Sequence, residues 1–339
     1  MHKKIQQVNI HGPDDILLDD VDYPKLGSHD IIVKIKCCGI CGTDLGYLAS
    51  GGLMGPQDHL MPLGHEMSGE VVDVGSDVVD IELNSHVAIN PMSNNNNIGN
   101  GGSEGGMTDY LLVRNAVIDE NVFILPNNTS FEVGALVEPF AVALRSINRS
   151  NVNSESHVAV LGLGCIGLAV AILLDYFGYK KIITLDISSY RSNCANNIHN
   201  VESYDHWDNF IDNLKNTHGS ENLFGMEVVG TDVFIDCTGS HSLVNKIINI
   251  SKPNSRIVIT GLHKEPALVD FRGVLMRELE LSASMAYSSK EFKESLDILS
   301  SNKINLQTVI SHKFTLAEFK EAFKTAGNGE ISGKVMFDI

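Results

Sequence analysis

Hydrophobic positions along this chain fall into two textures. Over residues 1–90 they come in short runs that alternate in places with polar residues, as in Ile31–Lys36, Gly69–Gly75 and His86–Ile89, and glycines punctuate the runs. A period of two predicts half-buried strands bounded by turns. Residues 93–106 interrupt this pattern. They are almost only Ser, Asn and Gly, which predicts a loop with no packing power. Strand-like sequence resumes at Tyr110–Val113.

The second texture begins near residue 133. From Val133 to Ile147 apolar residues recur at helical spacing, predicting a helix kinked or broken near Pro139. There follow an apolar strand, His157–Leu161, a glycine turn, a helix from about Ile166 to Tyr176, and a strand, Lys181–Leu185. Strand–helix–strand in this order is a βαβ unit with parallel strands. Val233–Cys237 and Arg256–Ile259 read as further buried strands of the same sheet, and Leu281–Tyr287 as its last. Thr315–Ala326 reads as a late helix, with Thr315 at its N-cap and Glu318 completing a capping box. No internal repeat is present. The fold class is therefore α/β: a β-rich part, then a doubly wound parallel sheet, with the last fifty or so residues returning to the first part.

Composition narrows the functional classes. A chain of 339 residues is too long for one ordinary core and implies two domains. Lys and Arg total 25 against 42 Asp and Glu, a formal charge of −17. That balance repels phosphate backbones and argues against nucleic acid and anionic membrane as partners. No stretch approaches the roughly 20 apolar residues of a bilayer span. The opening Met1-His-Lys-Lys-Ile-Gln-Gln lacks the apolar core of a signal peptide, so a cytoplasmic protein is expected. Of six cysteines, Cys37, Cys38 and Cys41 crowd together while Cys165, Cys194 and Cys237 are scattered. This is no disulfide framework, and such a cluster points to metal binding or catalysis.

Two constellations carry chemistry. The first is Gly162-Leu163-Gly164-Cys165-Ile166-Gly167, a G-x-G-x-x-G between a strand and a helix. That is the context in which the motif binds a dinucleotide. Gly162 permits the tight turn, Gly164 lets a pyrophosphate approach the backbone, and Gly167 lets helix and strand pack closely. The start of the helix, at Ile166, offers free N–H groups and a positive dipole end to phosphates. Asp186 lies 19 residues beyond Gly167 (186 − 167), near the place of the acid that accepts hydrogen bonds from the adenosine ribose. A carboxylate there repels a 2′-phosphate, so NAD is expected rather than NADP. Arg191 is placed either to stack on adenine or to sit solvated on its helix, and Gly261, after the Arg256–Ile259 strand, joins the expected cofactor set.

The second constellation is Cys41-Gly-Thr43-Asp44 followed by Gly64-His65-Glu66-x-x-Gly69. A thiolate and an imidazole suit zinc. Cys38 and Cys41 also form a CxxC pair, but no βαβ unit follows it as a redox motif requires. Cys37 and Cys38 read as small core residues.

Cys-Gly-Ile-Cys-Gly-Thr-Asp, then Gly-His-Glu-x-x-Gly, then Gly-x-Gly-x-x-Gly with a distal Asp, in this order, resembles the zinc-containing medium-chain dehydrogenases, nearest the sorbitol, butanediol and threonine dehydrogenase branch. The resemblance covers essentially the whole chain. It implies a GroES-like catalytic domain over residues 1–147, completed by 286–339, and a Rossmann domain over 148–285. It implies that Cys41 and His65 bind zinc, and that Glu66 is either a ligand or a neighbour of the ligands. Glu138, in Val137-Glu138-Pro139-Phe140, binds the ion directly or through water. Asp44 orients His65, and Thr43 hydrogen-bonds the substrate oxygen and passes its proton outward. The implied reaction is zinc-assisted hydride transfer from an alcohol to NAD. The implied assembly is a homodimer or homotetramer.

This chain departs from the family in two places. The stretch that in many members holds a second, structural zinc with four cysteines corresponds to Asn90–Gly106, which has none, so one zinc per chain is expected. The place of a frequent proton-relay histidine is Gly46. The proton then leaves through Thr43 and the cofactor ribose, or through Tyr47 or His59. Ala286 stands where sorbitol-type enzymes tend to carry an arginine, which favours a polyol, whereas Met285 and Phe140, expected in the same neighbourhood, suit a less polar substrate. A secondary alcohol, diol, polyol or cyclic alcohol is the expected substrate class. Two rivals remain at this point: a zinc-free reductase of the same superfamily, which needs neither Cys41 nor His65, and a catalytically silent NAD-binding protein, which Gly46 favours.

Overall fold

The computed structural model describes residues 3–263 and 265–339. Six strands form one parallel sheet in the order Val201–Tyr204, Ile182–Leu185, Val158–Leu161, Val233–Asp236, Arg256–Ile259, Glu280–Ala283. Every pairing in it is parallel. The strands read as continuous apolar runs because both faces are covered. Val158, Val160, Val233, Ile235 and Val258 enter one core, and Ala159, Leu161, Phe234 and Ile257 enter another on the opposite face. The order runs outward in both directions from Val158–Leu161. The topological switch therefore lies between that strand and Val233–Asp236, where such sheets bind ligands at their carboxyl ends.

The β-rich part is a seven-stranded sheet around Ile31–Gly39. That strand pairs antiparallel with Glu66–Val74, with Tyr110–Val113 and with the C-terminal strand Lys334–Asp338. The last residues thus do rejoin the first sheet. A hairpin of Lys4–Gly12 with Asp15–Asp22 adds a second, small sheet that the hydrophobic pattern did not reveal. Its second strand carries four aspartates, and buried Asn9 joins the two strands through Nδ2–H to Asp19 Oδ2 at 2.8 Å, so polar residues hide the alternation.

One long helix, Phe131–Ser150, ties the two sheets together. Ser130 caps it by accepting the Val133 N–H. Leu136, Val137, Phe140, Ala141 and Leu144 share one core with Cys37, Ala88 and Phe123 of the first sheet and with residues of the parallel sheet. The helix runs through Pro139 without a break, so of the two expected outcomes, a kink or a break, the break does not occur. Proline removes one N–H and strains one turn, but burial of the turns on either side outweighs that loss.

The Ser/Asn/Gly loop also departs from expectation, because it packs closely. Ile98 and Met107 are fully buried. A side chain at Gly99 would overlap the Gly64 carbonyl, and one at Gly105 would overlap that of Leu63. Buried Asn96 donates to the carbonyls of Ser93 and Arg114 and accepts the Arg114 N–H. Small residues here do not signal absence of packing; they let backbone pack on backbone directly behind Gly64-His65. The edge strand Glu280–Ala283 is shorter than read. Ala286, with φ of 51°, then turns the chain so that Tyr287 packs against the core. The Thr315–Glu318 capping box forms as expected, followed by a 3₁₀ turn and helix Phe319–Ala326. No helix among the described residues is long and apolar enough to cross a membrane.

Candidate metal centre and dinucleotide site

Backbone pairing assembles the metal centre. Cys41 follows the Ile31–Gly39 strand and is the N-cap of helix Gly42–Ser50. The Asp44 carboxylate closes the cap by accepting the Cys41 N–H at 2.8 Å. Glu66 opens the next strand and lies directly opposite Gly39 in register. Any side chain at residue 39 would overlap the Glu66 carboxylate, so Gly39 is required by close approach and not by its backbone angles. Cys41, His65 and Glu66 bring one ligand atom each to within 4.8 Å of one another, the only such group of three among the described residues.

The electrostatics suit a cation. Asp44 and His65 are both buried, with Oδ1 and Nδ1 3.4 Å apart and neither atom in a good hydrogen bond. Burial alone would lower the His65 pKa, but Asp44 and Cys41 outweigh it and hold it well above its ordinary value. Asp44 at Nδ1 leaves Nε2 as the ligand atom, the usual arrangement for a metal-binding histidine. A thiol, an imidazole and a carboxylate gathered this way fit a zinc ion.

Three side chains complete the surroundings, and the sequence pointed to only one of them. Glu138 is not in the group of three, but it is buried on the long helix nearby. Burial pushes its carboxyl up to about 7, with His65 opposing the shift and Glu66 adding to it. The Tyr287 phenol lies beside it. Lys334, at the head of the C-terminal strand and 2% exposed, donates to Glu66 Oε1 at 2.7 Å, to Oε2 at 2.6 Å and to the Ile40 carbonyl at 3.0 Å. Nothing in its local sequence distinguishes it from a solvated strand-end lysine. Only the register, with Met336 opposite Gly39 and the Ile40 N–H on the Val335 carbonyl, brings it to Glu66.

The remaining expected residues divide. The Cys41 thiol points at the Thr43 hydroxyl at 3.5 Å. Tyr47 stands within electrostatic reach of Cys41, Asp44 and His65 and donates to Asn100 Oδ1 at 3.2 Å, whereas His59 is exposed. A side chain at Gly46 would meet nothing within 4 Å. Phe140 is fully buried in the core and lines no surface, which removes half of the reason for expecting a less polar substrate; Met285 is 86% exposed.

The dinucleotide motif folds at the switch point. Gly162 has φ of 84°, and a side chain at Gly167 would overlap the Gly162 carbonyl. Helix Cys165–Tyr176 starts from Gly164 without a side-chain cap, so the first-turn N–H groups, that of Ile166 among them, face outward for a ligand. Asp186 is buried; its Oδ2 accepts the Leu163 N–H at 2.5 Å and its Oδ1 the Ser188 N–H at 2.8 Å. Arg191 lies over Gly164, with Nε donating to the Ser332 carbonyl at 3.1 Å. Gly261 packs so closely on Gly239 and Cys237 that any side chain would overlap them.

Comparison with known proteins agrees with this layout. The model for the alcohol dehydrogenase GroES-like domain matches residues 27–123, and that for the zinc-binding dehydrogenase matches residues 165–301. The chain belongs to the zinc-binding alcohol dehydrogenase family. It is 28% identical over 338 residues to L-idonate 5-dehydrogenase of Vitis vinifera, covering 93% of this chain and 90% of that one. It is 27% identical over 350 residues to sorbitol dehydrogenase of Bos taurus, covering 94% and 92%. The structure of 2R,3R-butanediol dehydrogenase from Bacillus subtilis superposes with a TM-score of 0.86 over 99% of both chains at 24% identity, a likeness of fold.

Proposed function

We propose that this member of the family is a zinc-dependent, NAD-linked dehydrogenase that interconverts a secondary alcohol (diol, polyol or cyclic alcohol) and its ketone. The observation that carries the reading is the group Cys41, His65 and Glu66, a half-buried thiol beside a buried imidazole and a buried carboxylate, all donors of the types zinc takes. The similar proteins named for idonate and sorbitol favour a polyhydroxy substrate. The domain division stays as proposed, with residues 1–147 and 286–339 forming the metal-binding part and 148–285 the nucleotide part.

Bound zinc supplies Lewis-acid polarisation of the substrate oxygen. The chain's own groups do the rest. Cys41, His65 and Glu66 would hold the ion, and Asp44 fixes the Cys41 backbone and faces the His65 ring. Glu138, buried with Tyr287, reaches the site through water. Thr43, beside the Cys41 sulfur, accepts a hydrogen bond from the substrate hydroxyl and relays its proton toward the cofactor ribose or Tyr47; the exposure of His59 weighs against it. Gly162, Gly164, Ile166 and Gly167 bind the pyrophosphate of NAD with backbone N–H groups. Asp186, whose oxygens each accept one backbone N–H and keep further lone pairs, takes the ribose hydroxyls. Gly261 and Gly239 keep the cofactor cleft open, and Arg191 covers the glycine loop.

One edge of the parallel sheet, Glu280–Ala283, carries exposed Leu281, with exposed Met285 just after it and exposed Phe271 and Leu275 on the helix just before it in the chain. An apolar, unpaired edge is a template for a second copy, so we assign the protein to a homo-oligomer joined there. Six free thiols suit a reducing compartment, and we assign it to the cytoplasm.

The test is NADH formation, followed by absorbance, from NAD⁺ or NADP⁺ with a panel of diols, polyols, cyclic and simple secondary alcohols, before and after chelator treatment. Chelator-sensitive turnover that prefers NAD⁺ is expected. Turnover indifferent to chelator, or silence across the panel in protein that binds NADH, would overturn the reading.

A further inference from the structure

Both oxygens of Glu66 are already engaged. The ammonium of Lys334 spends its three protons on Glu66 Oε1, Glu66 Oε2 and the Ile40 carbonyl, and both side chains are almost wholly buried. Glu66 is also a member of the metal-ligand group. A carboxylate has about four lone-pair sites, so two remain for a metal. They sit on oxygens whose charge an ammonium is already withdrawing.

We propose that Lys334 is a positioning residue that competes with the metal for Glu66, keeping the Glu66 side of the metal shell exchangeable. The proposal rests on the reading that Cys41, His65 and Glu66 hold zinc. The charge count supports it. The Cys41 thiolate and the Glu66 and Asp44 carboxylates set three negative charges against the two positive charges of a divalent ion, and the buried Lys334 ammonium supplies the third positive one. Glu66 can therefore stay on the lysine without leaving a net charge in the site, and a place on the ion is left for a further oxygen donor. In metal-free protein the same lysine is the only strong partner of a buried carboxylate. Removing it therefore harms the metal-free state more than the loaded state, because a buried charge stripped of its partner is strongly destabilising.

The sign of this effect separates it from an ordinary supporting role. A partner that strengthens a ligand loosens the metal by about 10–100-fold when mutated. Lys334→Met is expected to do the reverse, slowing transfer of zinc to the chromogenic chelator 4-(2-pyridylazo)resorcinol by about tenfold, on that same scale of outer-shell influence. It is also expected to lower the melting temperature of the metal-free protein more than that of the zinc-loaded protein. Lys334→Arg, which keeps the charge, should release zinc as the natural protein does. Adding Glu66→Gln to Lys334→Met should abolish the slowing, since the two residues act as one coupled pair. Should Lys334→Met fail to fold, Lys334→Gln is expected to show the same direction. Faster or unchanged release, with equal melting shifts in both forms, would overturn the proposal and leave Lys334 as a structural strut. Natural protein that binds no zinc would instead overturn the functional reading on which the proposal rests.

Discussion

The two sites of this molecule are built from opposite materials. The dinucleotide site is backbone: a contiguous turn of six residues, its donors peptide N–H groups, its requirements glycines. The proposed metal centre is made of side chains: Cys41, His65 and Glu66, with Glu138, Tyr287 and Lys334 around them, brought together by strand pairing and one bridging helix. A site of side chains is emptied by removing a ligand atom, which for a half-buried ligand such as Cys41 leaves the fold standing. A site of backbone is spoiled chiefly by adding atoms and takes local structure with it.

The largest effect that would sharpen this contrast is at Cys41. Cys41→Ala removes one proposed ligand from a helix N-cap whose firm cap bond, from the Cys41 N–H to the Asp44 carboxylate, does not involve the thiol. Turnover should fall by about 1000-fold, since the metal supplies several kcal/mol of charge stabilisation, while NADH binding and melting temperature change little. A large melting shift would break the contrast.

On the backbone side, Gly167→Ala should cost about 2–3 kcal/mol of stability, because its methyl group would overlap the Gly162 carbonyl. NADH binding should be lost together with that stability, while zinc content is kept. Urea unfolding with NADH titration decides this. Retained binding would mean that the glycine turn does not carry the cofactor.

A titration outside both sites offers a control. His218 is buried, stacked on His157, with Nε2 donating to the Lys181 carbonyl and Nδ1 accepting from Thr231. Burial lowers its pKa from 6.5 to about 4, although the Lys181 carbonyl opposes the shift. The unfolded chain binds the proton first, so this contribution to stability is whole above about pH 6.5 and is lost progressively as pH falls toward 4, by up to about 3 kcal/mol. Denaturation midpoints across that window should show the slope, and His218→Gln should flatten it without touching zinc content or NADH binding.

The smallest effect concerns cofactor choice. Asp186→Ser removes a carboxylate that repels a 2′-phosphate. The ratio of kcat/KM for NADP⁺ to that for NAD⁺ should rise about tenfold or more, like-charge contacts being costly. An unchanged ratio would leave Asp186 as a brace for Leu163 and Ser188 alone.

The same contrast explains what the sequence disclosed. The glycine motif, Asp186 and the strands of the parallel sheet were legible because their information is local: a turn with fixed spacings, and runs buried on both faces. Cys41 and His65 were legible as types, and Glu138 only through resemblance. Lys334 was not, because a lysine before Val335-Met336-Phe337 reads as a strand end until the register sets it beside Glu66. The Ser/Asn/Gly loop was misread because composition reports side-chain bulk, whereas Gly99 and Gly105 pack by having none. At Pro139 the pattern left a kink and a break both open, because it shows a missing N–H and not the burial that keeps the helix continuous.

Metal content of the purified protein, measured by atomic emission against chain concentration, tests the central claim most directly. One zinc per chain is expected, falling to near zero in Cys41→Ala. No zinc would contradict the metal centre. Two per chain, or a full complement surviving in Cys41→Ala, would mean that zinc is held somewhere other than at Cys41, His65 and Glu66.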